Sequence, residues 1–184
     1  MKSNSKCSGV VLIVDDNPET ISMLNTTLSE VGLTVLVALS GQQALTIAKR
    51  IKPEIILMDA MMPEMDGFEV CRLIKGDALI SHIPVIFMTG LNASEDIVRG
   101  FDAGGIDYVT KPIDVQGLVA RIGAQLTNSR IANGARQALD TLGQYSLSVE
   151  LSGKILWSTP NTHSLMNISG ANPDWIANTL PAHL

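Results

Sequence analysis

The sequence predicts an α/β fold in which helices cover a parallel β-sheet. Five short apolar runs rich in β-branched residues recur along the chain, and segments of helical periodicity separate them. Strands joined by helices in this way run parallel, because each crossover helix returns the chain to the same end of the sheet. The five predicted strands comprise residues 10–14, 34–38, 55–58, 84–88 and 108–110.

The first two predicted helices have recognisable beginnings. Asn17 can cap the first helix with its side chain, and Pro18 suits the first helical position. Gly32 is the predicted end of this helix. Its apolar residues fall on one face and are Ile21, Leu24, Leu28 and Val31. Ser40 and Gln43 have the spacing of a capping box, so a second helix is predicted to begin there.

Three more helices are predicted, one after each of the third, fourth and fifth strands. The third is predicted over residues 68–75, and the fourth over residues 94–103. The fourth has fewer apolar residues and is followed by the pair Gly104 and Gly105, so we expect it to be the least firmly anchored. The fifth begins near Asp114, and its apolar stripe consists of Leu118, Ile122 and Leu126.

Beyond residue 127 the chain keeps a helical spacing of apolar residues. These are Ile131, Ala135, Ala138, Leu139 and Leu142, which predict a continuation of the fifth helix or a second helix. Such a stripe fits a dimer interface, and it fits packing on the same chain equally well. Residues 145–150 and 155–157 then have a strand-like pattern around a Gly-containing turn, which predicts a β-hairpin.

Composition and charge exclude several classes of protein. The 184 residues are 46% hydrophobic, with a formal net charge of −5, so a generalised basic surface for nucleic acid is not expected. Cys7 and Cys71 are too far apart to suggest a metal site or a disulfide framework, and free thiols suit a reducing compartment. The apolar run at residues 10–14 is too short for a signal peptide or a membrane span. We therefore expect a cytoplasmic protein.

Polar residues with complementary chemistry follow the predicted strands. Asp15 and Asp16 follow the first, Asp59 the third, Thr89 the fourth and Lys111 the fifth. The carboxyl ends of parallel strands form one edge where ligands bind, so these side chains are expected to converge. Three gathered carboxylates repel one another and call for a cation, and Mg²⁺ prefers oxygen ligands. One carboxylate could then attack phosphorus and form an acyl phosphate.

Each of these residues has an ordinary alternative explanation when it is considered alone. An aspartate after a strand is commonly a helix cap or a turn residue, which applies to Asp15 and Asp59. Thr89 is equally a loop hydroxyl, and Tyr108 a core aromatic. The prediction of a site therefore depends on their combination and order.

Four motifs carry a resemblance to a known family. In order, they are VLIVDDN, MDAMMPEMDG, FMTG and GGIDYVTKP. With this spacing, residues 10 to about 126 resemble the receiver domain of two-component response regulators. The resemblance implies a flavodoxin-like, doubly wound sheet of five parallel strands in the order 2-1-3-4-5, with helices on both faces. It also implies that the domain is a phosphoacceptor that assists its own phosphorylation and dephosphorylation, rather than an enzyme.

The resemblance assigns metal and phosphate roles to individual residues. Asp59 would be the phosphoacceptor, and Lys111 would pair with the phosphoryl oxygens. Asp16 would be a direct Mg²⁺ ligand together with Asp59, Asp15 a ligand through water or a supporting acid, and the Met61 backbone carbonyl a further ligand.

A switch is also implied by the resemblance. Thr89 and Tyr108 correspond to the pair in which a hydroxyl moves toward the phosphate and an aromatic ring turns inward. The fourth helix, fifth strand and fifth helix would form the output face. The peptide bond between Lys111 and Pro112 is expected to be cis.

The predicted organisation is a disordered tail at residues 1–9, a receiver domain at 10–126, a helical linker at 127–143 and a partial PAS-like segment at 144–184. Residues 138–166 resemble the opening of a PAS-like module, so the chain is expected to be part of a longer regulator. A histidine kinase or phosphotransfer protein would phosphorylate Asp59 and thereby control an output. Transcription through a DNA-binding domain missing from this chain is the first expectation, with a homodimer possible and no membrane partner. The alternative parent is a signalling kinase or a cyclic-dinucleotide enzyme.

Two other classes fit the residues poorly. A phosphatase of the haloacid-dehalogenase type would have an acid two residues after its nucleophile, where this chain has Met61. A flavodoxin-like nucleotide binder would offer Gly, Ser or Thr amides to phosphate in its first loop, whereas this loop presents Asp15 and Asp16.

Overall fold

A computed structural model describes residues 8–77, 79–90, 94–143, 145, 147–149, 155–158 and 161–162. Five parallel strands form one sheet, and they are β1 (Val10–Val14), β2 (Thr34–Ala38), β3 (Ile55–Asp59), β4 (Val85–Thr89) and β5 (Asp107–Thr110). Their order is β2-β1-β3-β4-β5. The predicted fold class and strand order are therefore confirmed.

Five helices connect and follow these strands. They are α1 (Pro18–Glu30), α2 (Gly41–Ile51), α3 (Gly67–Gly76), α4 (Ser94–Asp102) and α5 (Val115–Thr141). None of the described helices combines the length and the apolar content that a membrane span requires.

The sheet has a separate apolar core on each face because successive strand residues point to opposite sides. On one face, Leu12 and Val14 pack with α2 and α3 through residues such as Ala44, Phe68 and Ile74. On the other face, β1 and β3 pack with α1 and α5. The helix residues buried there are Ile21, Leu24, Leu28, Leu118, Ile122 and Leu126. The predicted stripes of α1 and α5 are thus the surfaces that cover this second face.

The helix ends follow the predicted signals with small differences. The Asn17 side chain accepts hydrogen bonds from the amides of Glu19 and Thr20, at 2.8 and 3.4 Å. Ser40 accepts from the Gln43 amide at 3.3 Å, but the Gln43 side chain accepts from the Leu39 amide rather than from Ser40. The second hydrogen bond of the predicted capping box is therefore made to the residue before the cap.

Other boundaries differ from the prediction by one or two residues. Val31 caps the end of α1 and is not part of that helix, and Gly32 has a positive φ of 94°. The strands β3 and β4 end at Asp59 and Thr89, so both side chains belong to the strands themselves. Cys71 is a buried free thiol, as predicted, and burial raises its pKa to about 11.

The chain divides into two compact units, Met1–Thr127 and Asn128–Leu184. The helix α5 continues to Thr141, which favours the prediction of one continuous helix over that of a second helix. In the second unit, β6 (Leu147–Val149) and β7 (Ile155–Ser158) pair antiparallel, so the predicted hairpin is confirmed. Most of the predicted PAS-like segment and residues 1–7 of the predicted tail lie outside the described residues, and both stay predictions.

Candidate functional site

The carboxyl ends of β1 and β3 bring the predicted acidic residues together. Val14 of β1 pairs with Met58 of β3, so the next residues, Asp15 and Asp59, are neighbours. Carboxylate oxygens of Asp15, Asp16 and Asp59 lie within 4.8 Å of one another. The expected convergence of residues distant in sequence is therefore present at this edge of the sheet.

Lys111 is the cation of this cluster. Its Nζ lies 3.0 Å from Oδ2 of Asp15 and 2.9 Å from Oδ2 of Asp59. Its backbone amide donates to the Thr89 carbonyl oxygen at 2.7 Å, and its peptide bond to Pro112 is cis, as expected. Lys111 thus joins the end of β5 to the residues at the ends of β1, β3 and β4.

Burial differs among the three carboxylates. Asp15 is fully buried and Asp59 is 6% exposed, whereas Asp16 faces solvent. Oδ1 of Asp15 accepts from the Asn17 amide at 2.8 Å, and Oδ1 of Asp59 accepts from the Met61 amide at 3.3 Å. Each buried carboxylate therefore has one backbone donor and shares the Lys111 ammonium, which lowers the cost of burying its charge.

The surroundings raise the pKa of both Asp59 and Lys111. Burial raises the pKa of Asp59 above its ordinary value, and the nearby charge of Asp15 adds to this, although Lys111 and the Met61 amide oppose it. Burial by itself would lower the pKa of Lys111, but hydrogen bonds and charge from Asp59 and Asp15 outweigh it and raise the pKa. Lys111 is therefore fully protonated near neutral pH.

The donor set suits a divalent cation. Three carboxylates and one ammonium leave a net charge of −2 when all are ionised, and the exposed Asp16 opens the cluster to solvent. Oxygen donors of this kind, with room for water, are what Mg²⁺ requires. Met61, two residues after Asp59, is 57% exposed.

Thr89 and Tyr108 line one small pocket next to the cluster. Thr89 ends β4 and is 3% exposed. Tyr108 is partly buried on β5, and its ring meets the ring of Phe101 of α4 edge to face, with the centroids 6.3 Å apart. The pocket between them is also lined by Phe68 and Phe87. The two residues of the implied switch pair are therefore close to α4 as well as to the sheet edge.

Two features near Asp59 were not predicted from the sequence. The Gly67 amide donates to the Ala60 carbonyl oxygen at 3.0 Å, and a Cβ at Gly67 would overlap the Asp59 carbonyl oxygen. The Asp66 side chain caps α3 by accepting from the Glu69 amide at 2.7 Å. An Asp-Gly pair is a recognisable turn signal, and it could have predicted the cap. The close approach to Asp59 depends on tertiary packing and has no local signal.

Comparison with known proteins gives a consistent picture. The family model for the response regulator receiver domain matches residues 11–123. The DNA-binding dual master transcriptional regulator RpaA of Synechocystis is 36% identical over 129 residues, which cover 70% of this chain and 54% of that protein. The response regulator PleD of Caulobacter vibrioides is 43% identical over 115 residues, covering 62% of this chain and 25% of PleD.

A third relative is named as an enzyme. A probable cyclic di-GMP phosphodiesterase of Vibrio cholerae is 39% identical over 130 residues, covering 71% of this chain and 29% of that protein. The matches thus span between about a quarter and about half of the length of these relatives.

Solved structures agree with the fold. A receiver domain of a signal transduction histidine kinase from Syntrophus aciditrophicus has a TM-score of 0.62 and 34% identity, covering 65% of this chain and 91% of that one. A two-component response regulator from Clostridium difficile has a TM-score of 0.61 and 25% identity, covering 64% of this chain and 95% of that one.

Proposed function

Because the chain belongs to the response regulator receiver domain family, we propose that it is a phosphorylation switch in which Asp59 accepts the phosphoryl group. The observation that carries this proposal is the placement of Asp59 between a cation and two further acids. Its Oδ2 accepts from Lys111 at 2.9 Å, and its carboxylate lies within the acidic cluster. Receiver domains of this kind take phosphate from histidine kinases or phosphotransfer proteins, and we propose such a donor for this chain.

The proposed reaction is a single phosphoryl transfer. A carboxylate oxygen of Asp59 forms a bond to phosphorus, the bond between phosphorus and the donor breaks, and the electron pair leaves with the donor. The Lys111 ammonium, now shared between Asp59 and Asp15, would offset the negative charge of the phosphoryl oxygens. The Thr89 hydroxyl, at the end of the next strand, would donate a hydrogen bond to the product.

We propose Mg²⁺ as the partner of this site. Asp16, Asp59 and the Met61 carbonyl would hold it directly, and Asp15 would act through water or as a supporting acid. Bound there, Mg²⁺ would withdraw charge from the phosphoryl oxygens. The support is the oxygen donor set and its net negative charge.

The proposed consequence of phosphorylation is a change at α4, β5 and α5. A phosphoryl group adds about −1.5 to −2 charge at neutral pH, which creates new partners for Thr89 and Lys111. Movement of Thr89 would alter the pocket that it shares with Tyr108, and the Tyr108 ring also contacts Phe101 of α4. This connection supports an output face on these elements.

Transcriptional control through a DNA-binding domain outside these 184 residues is the first candidate for the output. The name of RpaA supports it, as do the DNA-binding response regulators MtrA among the relatives. A cyclic-dinucleotide enzyme is the second candidate, which the phosphodiesterase of Vibrio cholerae supports, and a signalling kinase stays a third. We further propose a cytoplasmic location, a receiver domain at residues 10–126, a linker at 127–143 and a PAS-like segment at 144–184.

Intact-mass spectrometry tests the phosphoacceptor. We expect the wild-type chain, incubated with Mg²⁺ and acetyl phosphate, to gain one phosphoryl group, and to gain none when the metal is removed with EDTA. Asp59→Asn should gain none, since the nucleophilic oxygen is lost. Asp114→Asn is the matched control, because Asp114 is an exposed residue at the start of α5 and should leave phosphorylation unchanged.

Two results would contradict the proposal. Phosphorylation of Asp59→Asn to the wild-type level would place the acceptor elsewhere. Failure of the wild-type chain to gain mass from acetyl phosphate and from a panel of phosphorylated histidine phosphotransfer proteins would exclude the switch chemistry.

A further inference from the structure

Arg99 reaches from α4 to the beginning of α3. Its guanidinium carbon lies 4.6 Å from the centroid of the Phe68 ring, and its Nη2 lies 3.4 Å from Oδ2 of Asp66. The side chains of Arg99 and Asp66 are 51% and 34% exposed, so the ion pair is partly screened by water. A cation over an aromatic ring adds a second weak attraction. Together these two contacts join α4 to α3.

The beginning of α3 is in turn fixed against the strand that carries Asp59. Asp66 caps α3 with its other carboxylate oxygen, and the Gly67 amide donates to the Ala60 carbonyl oxygen. Gly67 is packed so closely on the Asp59 carbonyl that it has no room for a Cβ. The first residues of α3 are therefore held in a fixed position against the end of β3, next to Asp59. Arg99 connects α4 to these residues.

The next two residues of α4, Gly100 and Phe101, line the pocket that Thr89 and Tyr108 share. Gly100 packs on the ring of Phe87, and the Phe101 ring meets Tyr108 edge to face. The Arg99 guanidinium lies over the Phe68 ring, and Phe68 lines the same pocket as Thr89 and Tyr108. The position of α4 therefore sets the space in which the Tyr108 ring can move.

The described side chains of α4 begin at Val98, and the large apolar ones among them are about half-exposed. Among its described side chains, Val98 is 55% exposed and Phe101 is 50% exposed. Ala103, just after the helix, is 3% exposed. Where the described apolar side chains are this exposed, we expect the loss of one bridging side chain to change the balance between alternative positions of the helix measurably.

We propose that Arg99 is a positioning residue that holds α4 against α3 in the unphosphorylated protein and so slows phosphorylation of Asp59. This inference rests on the proposed function. Contacts present in only one of two arrangements lower the population of the other, and a reaction that requires the other arrangement slows by the same factor. Removal of Arg99 therefore releases α4 and raises the rate at which Asp59 accepts phosphate.

Hydrogen exchange and phosphorylation rate, measured on the full chain, test this inference. In Arg99→Ala we expect amide exchange in α4 to be about fivefold faster than in the wild type, as for the loss of two weak contacts. The initial rate of phosphorylation by acetyl phosphate with Mg²⁺ should rise by roughly three- to fivefold. Arg99→Lys should fall between the two, because lysine keeps the charge for Asp66 but not the planar group over Phe68.

Arg72→Ala is the matched control, since Arg72 is an exposed arginine on α3, and it should behave as the wild type in both measurements. A chemical denaturation curve for each variant verifies that the core is intact. Unchanged α4 exchange in Arg99→Ala would overturn the inference. Faster exchange with an unchanged phosphorylation rate would also overturn it, because Arg99 would then be only structural. If the wild type itself takes up no phosphate, the proposed function fails, and the control of phosphorylation by Arg99 fails with it.

Discussion

Asp59 is buried next to the like charge of Asp15. Both features destabilise the charged form of Asp59 in the folded protein. Its carboxylate is 6% exposed, and burial together with Asp15 raises its pKa despite the opposing Lys111 ammonium. Asparagine has nearly the same shape and carries no charge. In a chelating buffer at pH 7 we therefore expect Asp59→Asn to raise the free energy of unfolding by about 1 kcal/mol. Urea denaturation followed by circular dichroism measures this difference.

The same comparison has a defined pH dependence. A group whose pKa is raised in the folded state contributes stability that is present below its unfolded pKa and is lost as the pH rises through the folded value. The advantage of Asp59→Asn should therefore vanish below the ordinary aspartate pKa of 3.8 and grow toward neutral pH. Asp114→Asn, at an exposed position, is the control for replacing an aspartate by asparagine elsewhere in the chain. A wild type more stable than Asp59→Asn at pH 7 would mean that pairing with Lys111 outweighs burial.

The sequence predicts Asp15, Asp59 and Lys111 as site residues because each follows a predicted strand and carries a charge that needs a partner. It could not identify the Asn17 amide as the donor to Asp15, or Arg99 as the residue that joins α4 to α3. The first depends on the local path of a loop, and the second on two helices separated by a strand. Neither contact leaves a periodicity or a motif in the chain.

The first turn of α3 is packed closely on the site. A Cβ at Gly67 would overlap the Asp59 carbonyl oxygen and come within 2.9 Å of the Met58 side chain. We expect Gly67→Ala to lower the free energy of unfolding by about 3 kcal/mol, or to prevent folding, because backbone cannot move aside as a flexible side chain does. Chemical denaturation measures the loss, and Mg²⁺ binding to the folded fraction reports on the site.

Gly76 provides the matched control at the other end of the same helix. Nothing lies within 4 Å of a Cβ placed there, so Gly76→Ala should be neutral or stabilising by up to about 1 kcal/mol. A Gly67→Ala variant as stable as Gly76→Ala would show that α3 can shift away from β3 at little cost. In that case Arg99 would not connect α4 to a fixed part of the molecule.

A local cap correctly predicted where α1 and α2 begin. Asn17 and Ser40 cap α1 and α2 as predicted, because their bonds span only two or three residues. Val31 has the right periodicity but lies outside α1, since the helix ends in a turn that gives Gly32 a positive φ. Periodicity reports which face is apolar, and it does not report where backbone hydrogen bonding stops.

At the scale of the whole chain, the alternation of strands and helices predicted a parallel sheet but not the order of its strands. Any order with right-handed crossovers satisfies that alternation. The order 2-1-3-4-5 came from the family resemblance, and the structure confirms it. Likewise, the stripe beyond residue 127 predicted helical structure without stating what it packs against.

The continuation of α5 in the second unit has the spacing of a coiled-coil interface. Five residues fall on the a and d positions of a seven-residue repeat, and they are Asn128, Ile131, Ala135, Ala138 and Leu142. The charged residues of this stretch fall on other positions and are Arg130, Arg136 and Asp140. Ile131 and Leu142 are 68% and 73% exposed despite being large and apolar. An uncharged face with an asparagine at an a position suits a parallel, in-register second copy, since Asn128 can pair with its own equivalent.

We therefore expect the chain to form a weak homodimer through this face. The 14 helical residues from Asn128 to Thr141 span only about 21 Å, so dimerisation should appear as a mass that rises with concentration in the micromolar range. Ile131→Glu should weaken the dimer by at least about tenfold, because it buries a charge in an apolar interface. Sedimentation velocity across a concentration series measures this, with Ile51→Glu as the control, since Ile51 is a 49% exposed isoleucine at the end of α2. A monomeric wild type, or an Ile131→Glu variant that dimerises equally well, would assign the stripe to packing within the chain instead.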